Sequence, residues 1–261
     1  MNHSLLDEHA LNSPLRHKNN RLKLGLVGAA LLVGVSSPSP IAPLFIALSM
    51  SFAAIRLGKV PARFYAGLVA APLGFAVLGA AIILFFFGSG PEILSLELLG
   101  RRIVASADGA EMAVLVVSRT LSGMSCLLFL ALSTPMVELF ALLKALKLPD
   151  SFVELSMMIY RYIFVLLEVV VRMRDAQAMR LGYVGFKNSI QSISMMAGTL
   201  FIRTMEQGER LYTAMDARCY DGRLFLFEER KPVKIQELLA ASGYVAFISA
   251  LAYFSRGTAI F

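Results

Sequence analysis

Long apolar runs separated by short charged segments dominate the chain. Runs almost free of charged residues cover positions 24–55, 64–87, 110–133 and 235–254. A helix needs about 20 apolar residues to cross the hydrocarbon core of a bilayer, and about 17–25 are common. The pattern therefore predicts helices that span a membrane several times.

The first of these runs is interrupted by the sequence "SSPSP" at positions 36–40. Proline and serine at this density turn a chain. We therefore expect two short helices that form a hairpin, over positions 24–35 and 41–55, the first of them shorter than a standard span. Together with the three longer runs, the hairpin gives about five transmembrane helices. Positions 88–108 have mixed charge and are predicted as a loop.

The stretch 134–234 is only intermittently apolar, and its periodicity favours helices. Apolar residues recur at Met136, Leu139 and Leu143, which is the spacing of one helical face. Asp150 or Ser151 can cap the next helix. That helix is very long, from position 152 to about 181, and Gly182 is predicted to end it.

A second apolar helical segment, 188–202, runs into "RLYTAMDARCYDGR" at positions 210–223. Two helices therefore end in basic tips of similar composition, "AQAMRLGY" (176–183) and "AMDARCYDG" (214–222). Arg180 and Arg218 hold corresponding places in them. A single arginine at a helix end is commonly just solvated. Two similar tips also fit a pair of matched binding elements.

Composition and charge predict that the chain lies in a membrane and indicate its orientation there. It is 57% hydrophobic and 16% charged, whereas a soluble domain is about 45–50% apolar and about 25% charged. The net charge of +7 reflects lysines and arginines in loops rather than a nucleic-acid-binding domain. They concentrate before position 24, at 56–63 and in 134–234. By the positive-inside rule these segments are cytoplasmic.

Candidate catalytic or metal-binding chemistry is sparse. Arg119 is the one ionisable group deep in a predicted span, and it makes either a contact with another membrane subunit or an internal hydrogen-bond network. Cys126 and Cys219 have no metal-site spacing, and the three histidines precede the first span without a paired ligand. We therefore predict no metal site.

Three rival classes of function are disfavoured by the same sequence. An enzyme would need paired carboxylates, a histidine cluster or a nucleophile with its base, and the spans offer none. A self-contained channel or secondary transporter would need several polar groups along a path. The P-loop of an ATPase is absent from the sequence, so any ATP is hydrolysed by a partner.

Three segments resemble signatures of the transmembrane T component of energy-coupling factor (ECF) transporters, and of CbiQ-type cobalt permeases in particular. The first, "LNSPLRHKNNRLKLGL" (11–26), resembles the amino-terminal S-P-L…P-R-x-K-L signature. Residues 133–182 resemble the T-P…L-P…Y-R-Y-x-F…E…R-M-R-x-A-Q-x-x-R stretch, and "AMDARCYDG" resembles A-M-x-A-R-G-[FY]-x-G. The resemblance covers nearly the whole chain.

The resemblance implies an all-α membrane protein with about five transmembrane helices plus long cytoplasmic coupling helices. The expected parts are a cytoplasmic amino-terminal segment (1–23), a transmembrane bundle of four spans (24–133), coupling helices (134–234) and a last span with the carboxyl terminus (235–261). The protein would lie in the cell (inner) membrane, multi-pass, with its amino terminus in the cytoplasm.

The implied partners are two ABC ATPase subunits (CbiO-like) and a membrane S component (CbiM-like, with a small CbiN-like subunit as an option). The two tips would sit in grooves of the ATPases. The coupling residues implied by the motif are Ala178, Arg180, Gly182, Ala217, Arg218 and Cys219. Cys219 stands where the family motif has glycine.

The chain itself would hold no cofactor, since ATP would bind the ATPases and the metal cargo the S component. Cobalt is the expected cargo, with nickel next and a vitamin such as biotin third.

Overall fold

The computed structural model describes residues 9–86, 92–98, 101–145, 148–221 and 234–255. Helices account for most of these residues, which confirms the predicted all-α fold class. The helices are α1 (Asn20–Ser36), α2 (Ile41–Phe52), α3 (Ala62–Phe86), α4 (Ala107–Ser133), α5 (Met136–Ala145), α6 (Asp150–Met179), α7 (Phe186–Asp216) and α8 (Ile235–Phe254). A 3-10 helix at Pro14–His17 precedes α1, and a π-helical turn at Ala53–Leu57 extends α2. The chain forms two compact units, one of Met1–Leu139 with Glu229–Phe261 and one of Phe140–Glu228.

Helices α1 and α2 form the predicted hairpin. Helix α1 begins at Asn20 rather than at position 24, because the Asn19 side chain accepts a hydrogen bond from the Arg21 backbone N–H at 2.9 Å and caps the helix there. The "SSPSP" segment makes the turn, in which the Ser37 hydroxyl donates to the Ser39 carbonyl at 2.9 Å.

Among the described residues, three helical segments are long and apolar enough to cross a membrane. They are Ala62–Phe85, Asp108–Ser133 and Ile235–Phe254, and a shorter apolar helix lies at Ile41–Leu57. These positions agree with the predicted spans.

Helix α4 lies at the centre of the first unit, where it packs against α1, α2 and α3. Its Cys126 and Leu132 are buried in the same core as Ile46 of α2. Helices α1 and α4 approach closely, since a Cβ atom added to Gly34 would lie 2.6 Å from the Ser122 hydroxyl. Small residues at such a contact let helix backbones pack tightly in a membrane.

The region predicted as a loop at 88–108 contains a two-stranded hairpin instead. Strand β1 (Glu92–Leu98) pairs antiparallel with β2 (Arg101–Ser106), and Leu96 lies opposite Ile103. Within this strand the sequence "LSLEL" (94–98) alternates apolar and polar residues, which is the signal of a strand. The mixed charge of the segment concealed that signal. Positions 87–91 and 99–100 lie outside the described residues.

The second unit contains α6 and α7, helices of 30 and 31 residues. The Gln177 side chain, near the end of α6, donates to the Ser192 carbonyl near the start of α7 at 3.1 Å. At the other end of the pair, the Tyr220 hydroxyl donates to Glu154 at 3.1 Å. The helices therefore run antiparallel. Their carboxyl ends lie at opposite ends of the pair, about 45 Å apart at 1.5 Å per residue.

The predicted cap of α6 is wrong. The helix begins at Asp150 after Pro149, and no side chain makes a capping hydrogen bond there. Proline at this place fixes the entry of the chain with its own backbone angle, so a side-chain cap is not needed to start the helix.

Candidate functional site

The carboxyl end of α6 forms a closed turn that places Arg180 at the surface. The Gly182 N–H donates to the Gln177 carbonyl at 2.9 Å, and the Leu181 N–H donates to the Ala178 carbonyl at 3.0 Å. This pair of bonds is the Schellman motif, which satisfies carbonyls that the end of a helix leaves without partners. Arg180 is the residue just before the left-handed position of the motif.

The carboxyl end of α7 repeats this turn bond for bond. The Tyr220 N–H donates to the Met215 carbonyl at 3.1 Å, and the Cys219 N–H donates to the Asp216 carbonyl at 2.9 Å. Arg218 therefore occupies the place of Arg180. The structure brings the two predicted arginines into the same local geometry at opposite ends of the helix pair. We call the two turns, residues 178–182 and 216–220, the first and second tip.

The left-handed position of each tip is occupied by a residue other than glycine. Leu181 has φ 60° and Cys219 has φ 58°, whereas Gly182 does not have a positive φ. Gly182, which was predicted to end the helix, closes the turn with its N–H, while Leu181 takes the left-handed position. Cys219 is not an isolated departure from glycine, since the first tip has the same departure at Leu181.

Gly182 has a different physical reason to be glycine. A Cβ atom at this position would lie 2.7 Å from the Ser192 hydroxyl and 3.0 Å from the Gln177 carbonyl. The Ser192 hydroxyl donates to the Gly182 carbonyl at 2.7 Å, so α7 packs directly onto the backbone of the first tip. The Tyr183 hydroxyl donates to the Gln177 side chain at 2.8 Å and completes this corner.

The second tip is held by a longer-range contact. Glu154, which is only 5% exposed, accepts the hydrogen bond from the Tyr220 hydroxyl. Partial burial raises the pKa of the Tyr220 phenol, and the Glu154 carboxylate raises it further. Tyr220 is therefore a protonated donor at neutral pH. Tyr183, Ser192, Glu154 and Tyr220 were not singled out from the sequence, since a contact between two helices leaves no local pattern.

Among the residues that the structure describes, the two tip arginines have no partner, whereas some other arginines of the same helices are paired. Both are exposed, and neither guanidinium makes a hydrogen bond or an ion pair with any residue that the structure describes. By contrast, Arg172 pairs with Glu168 at 2.6 Å, as the i,i+4 spacing predicts, and Arg210 pairs with Glu206 at 3.0 Å. Arg180 and Arg218 are thus available to a partner, as are the neighbouring exposed residues Ala178, Ala217 and Cys219.

Arg119 lies in the first unit and has an internal partner. Its guanidinium donates to the Ser37 carbonyl at 2.8 Å, at the turn of the first hairpin. Of the two interpretations for Arg119, this hydrogen bond favours the internal hydrogen-bond network. A contact with another membrane subunit stays a prediction.

Helices long and apolar enough to span a membrane, together with two long helices that end in equivalent turns, define a multi-pass membrane protein. Residues 11–231 match the CbiQ family, described as cobalt transport protein. The chain therefore belongs to the CbiQ family, the T component of ECF transporters. Members of this family are non-catalytic membrane components of transport systems, which confirms that the chain is not an enzyme.

Individual relatives agree with this assignment. A putative fused cobalt transport protein CbiMQ of Methanocorpusculum labreanum is 43% identical over 95% of this chain, which spans 43% of that protein's length. An uncharacterized protein of Methanocaldococcus jannaschii is 40% identical over 98% of this chain and 95% of its own. The cobalt transport protein CbiQ of Rhodobacter capsulatus is 31% identical over 84% of this chain and 83% of its own.

Substitution of Gly182 tests the corner of the first tip. We expect Gly182→Ala to lower the free energy of unfolding by about 1–3 kcal/mol, because the new methyl group must displace the Gln177 carbonyl or the Ser192 hydroxyl. Thermal unfolding of the purified protein measures the effect. Gly198→Ala is the matched control, since a Cβ atom there meets nothing within 4 Å and alanine is about 0.5–1 kcal/mol better than glycine inside a helix. Equal shifts in both variants would contradict the packing described.

Substitution of Cys219 tests the left-handed position of the second tip. Cys219→Gly should raise the free energy of unfolding by about 1 kcal/mol, because glycine adopts positive φ without a steric cost. Cys219→Val should lower it, since a β-branched residue is poorly tolerated there. Ala214→Val, in the helical part of α7, controls for the valine side chain and should cost less than about 1 kcal/mol. The order Val, Cys, Gly in melting temperature is expected, and a flat series would contradict the assigned backbone.

Proposed function

We propose that this chain is the T subunit of an ECF-type ABC importer that transmits the ATP-driven motion of two partner ATPases to a substrate-binding S component. The observation that carries the proposal is the pair of equivalent tips, each with an exposed arginine that has no partner among the described residues. An ATPase dimer has two equivalent surfaces, and one rigid subunit needs two equivalent contacts to engage both.

Arginine suits such a contact for physical reasons. Its planar guanidinium can form two parallel hydrogen bonds with a carboxylate, or several with carbonyl groups. At the desolvated centre of an interface, one such residue can dominate the binding energy. The Schellman turn presents the side chain from a closed backbone, so little backbone conformational freedom is lost when it binds.

Transmission of motion follows from the shape of the second unit. Helices α6 and α7 are long, and each tip is anchored to the neighbouring helix by a hydrogen bond, Gln177 to Ser192 and Tyr220 to Glu154. When ATP binding moves the two ATPases, each tip moves with its ATPase and displaces its helix as a whole. In this scheme the ATPases (CbiO-like) bind and hydrolyse ATP, and this chain holds no cofactor.

The membrane partner in the proposal is a CbiM-like S component, with a CbiN-like small subunit as an option. The name of the M. labreanum relative, a putative fused cobalt transport protein CbiMQ, supports this choice. The S component binds the cargo. Cobalt is the cargo we propose, supported by the family description, and nickel or a vitamin such as biotin are the alternatives.

The orientation follows from charge. The basic segments before α1, between α2 and α3, and around the tips are placed in the cytoplasm, where the ATPases and ATP are. The amino terminus is then cytoplasmic, and the protein is a multi-pass component of the cell (inner) membrane. A self-contained channel or secondary transporter is the alternative of a different class, and it would give the matched tips no role.

Removal of both tip arginines tests the proposal. We expect the wild-type protein, tagged and purified from membranes, to bring ATPase activity with it. The Arg180→Ala/Arg218→Ala variant should bring at least about tenfold less, because each interface loses its central anchor. Arg172→Ala/Arg210→Ala removes two arginines that pair within their own helices and should leave the ATPase bound. ATPase that stays bound to the tip variant would refute the docking role.

The two cysteines allow each tip to be probed separately. Cys219 is exposed and Cys126 is buried, so a maleimide should label the second tip, and bound ATPase should protect it. Leu181→Cys in a Cys219→Ser background places the thiol at the equivalent position of the first tip. Labelling of either thiol that bound ATPase does not slow would contradict docking at that tip.

A further inference from the structure

We propose that residues 13–23, here called the amino-terminal strap, hold together the two places where the chain passes between the bundle and the coupling helices. Without this strap, motion of the ATPases would not become transport. The inference rests on the proposed function and assigns positioning roles to Arg16, Lys18 and Lys23. These residues lie in the segment that resembles the amino-terminal family signature.

Lys23 fixes the end of α4. Its ammonium group is within hydrogen-bond distance of the Ser133 carbonyl at 3.0 Å, the Thr134 hydroxyl at 3.1 Å and the Leu15 carbonyl at 3.1 Å. Three acceptors match the three hydrogens of an ammonium group. The positive charge also lies at the negative end of the α4 dipole. The side chain is 5% exposed, so this contact is built into the interior.

Two residues of the strap contact Glu138, which lies in the first turn of α5. The Arg16 guanidinium approaches one carboxylate oxygen at 3.3 Å, and the Asn20 amide donates to the other oxygen. A carboxylate in a first turn also stabilises the helix through the dipole. Together with Lys23, these contacts hold both sides of the joint at positions 133–138, where the chain leaves the bundle.

The strap reaches the second passage as well. Lys18 lies 3.7 Å from Glu237 in the first turn of α8, where the chain has returned to the bundle. The chain connects the bundle and the coupling helices at these two places. A segment of eleven residues therefore contacts both.

The strap is itself ordered by its sequence. Ser13 accepts a hydrogen bond from the Leu15 N–H at 3.3 Å and starts the 3-10 helix, and Leu15 is buried in the core. Packed protein transmits displacement because it is close to incompressible. A joint held in this way passes movement of α5 and α8 into the bundle, whereas a loose joint would absorb it.

Substitution of the Arg16–Glu138 pair tests the inference in the assembled transporter. We expect Arg16→Gln and Glu138→Gln to assemble with the ATPases and hydrolyse ATP as the wild type does. Their uptake should fall about tenfold, within the usual range for a coupling between sites. Uptake is measured for whichever of cobalt, nickel and biotin the wild-type cells accumulate. The charge exchange Arg16→Glu/Glu138→Arg should restore uptake.

The matched control is the exposed pair Arg172–Glu168 of α6, whose exchange should leave uptake unchanged. Normal uptake in both strap variants would overturn the inference. So would loss of assembly in the glutamine variants, because the strap would then serve folding alone. A wild-type protein that binds no ATPase would refute the proposed function instead, so the two failures are distinguishable.

Discussion

One buried ammonium group sets the arrangement around which the first unit is built. Lys23 is taken out of water at a cost of several kcal/mol, and its three hydrogen bonds, to Leu15, Ser133 and Thr134, offset that cost. Those acceptors come from the amino-terminal strap and the end of α4. Helix α4 packs against α1, α2 and α3, which fixes its position in the unit. Since α5 starts just after α4, the end of α4 also determines where α5 begins. Removal of the charge would leave two buried carbonyls without this donor.

The second unit uses the same backbone turn twice and fixes each copy differently. Both tips place a residue other than glycine in the left-handed region, at Leu181 and Cys219, which costs about 1–2 kcal/mol each relative to glycine. In return, the residue before it, an arginine in both tips, holds the same place in the same hydrogen-bonded turn. Equal local geometry is the requirement for binding two equivalent surfaces. The contacts that hold the tips in place, Gln177 with Ser192 and Tyr220 with Glu154, involve other residues and differ between the two tips.

The sequence was informative where a feature is local and silent where it depends on contacts between distant residues. Apolar runs and the "SSPSP" turn predict the spans and the hairpin, and the similarity of the tips predicts that Arg180 and Arg218 correspond. Gly182 was predicted to end α6 from its residue type alone, but its close contact with Ser192 and the left-handed backbone of Leu181 could not be predicted. The partners of Lys23 and Glu154 come from residues far away in the chain, so no periodicity could reveal them. Strand β1 was missed because its charges obscured a pattern that was present.

The difference between the two anchoring contacts has a consequence for the order in which the protein forms. The contact of the first tip joins residues 15 positions apart, Gln177 and Ser192, whereas that of the second joins residues 66 positions apart, Glu154 and Tyr220. Closing the longer loop costs more chain entropy, and contacts of high sequence separation form late. During synthesis the first tip is complete once the start of α7 has emerged. The second must wait until the whole of α7 has folded back along α6, so the two tips of a newly made chain form in sequence rather than at once.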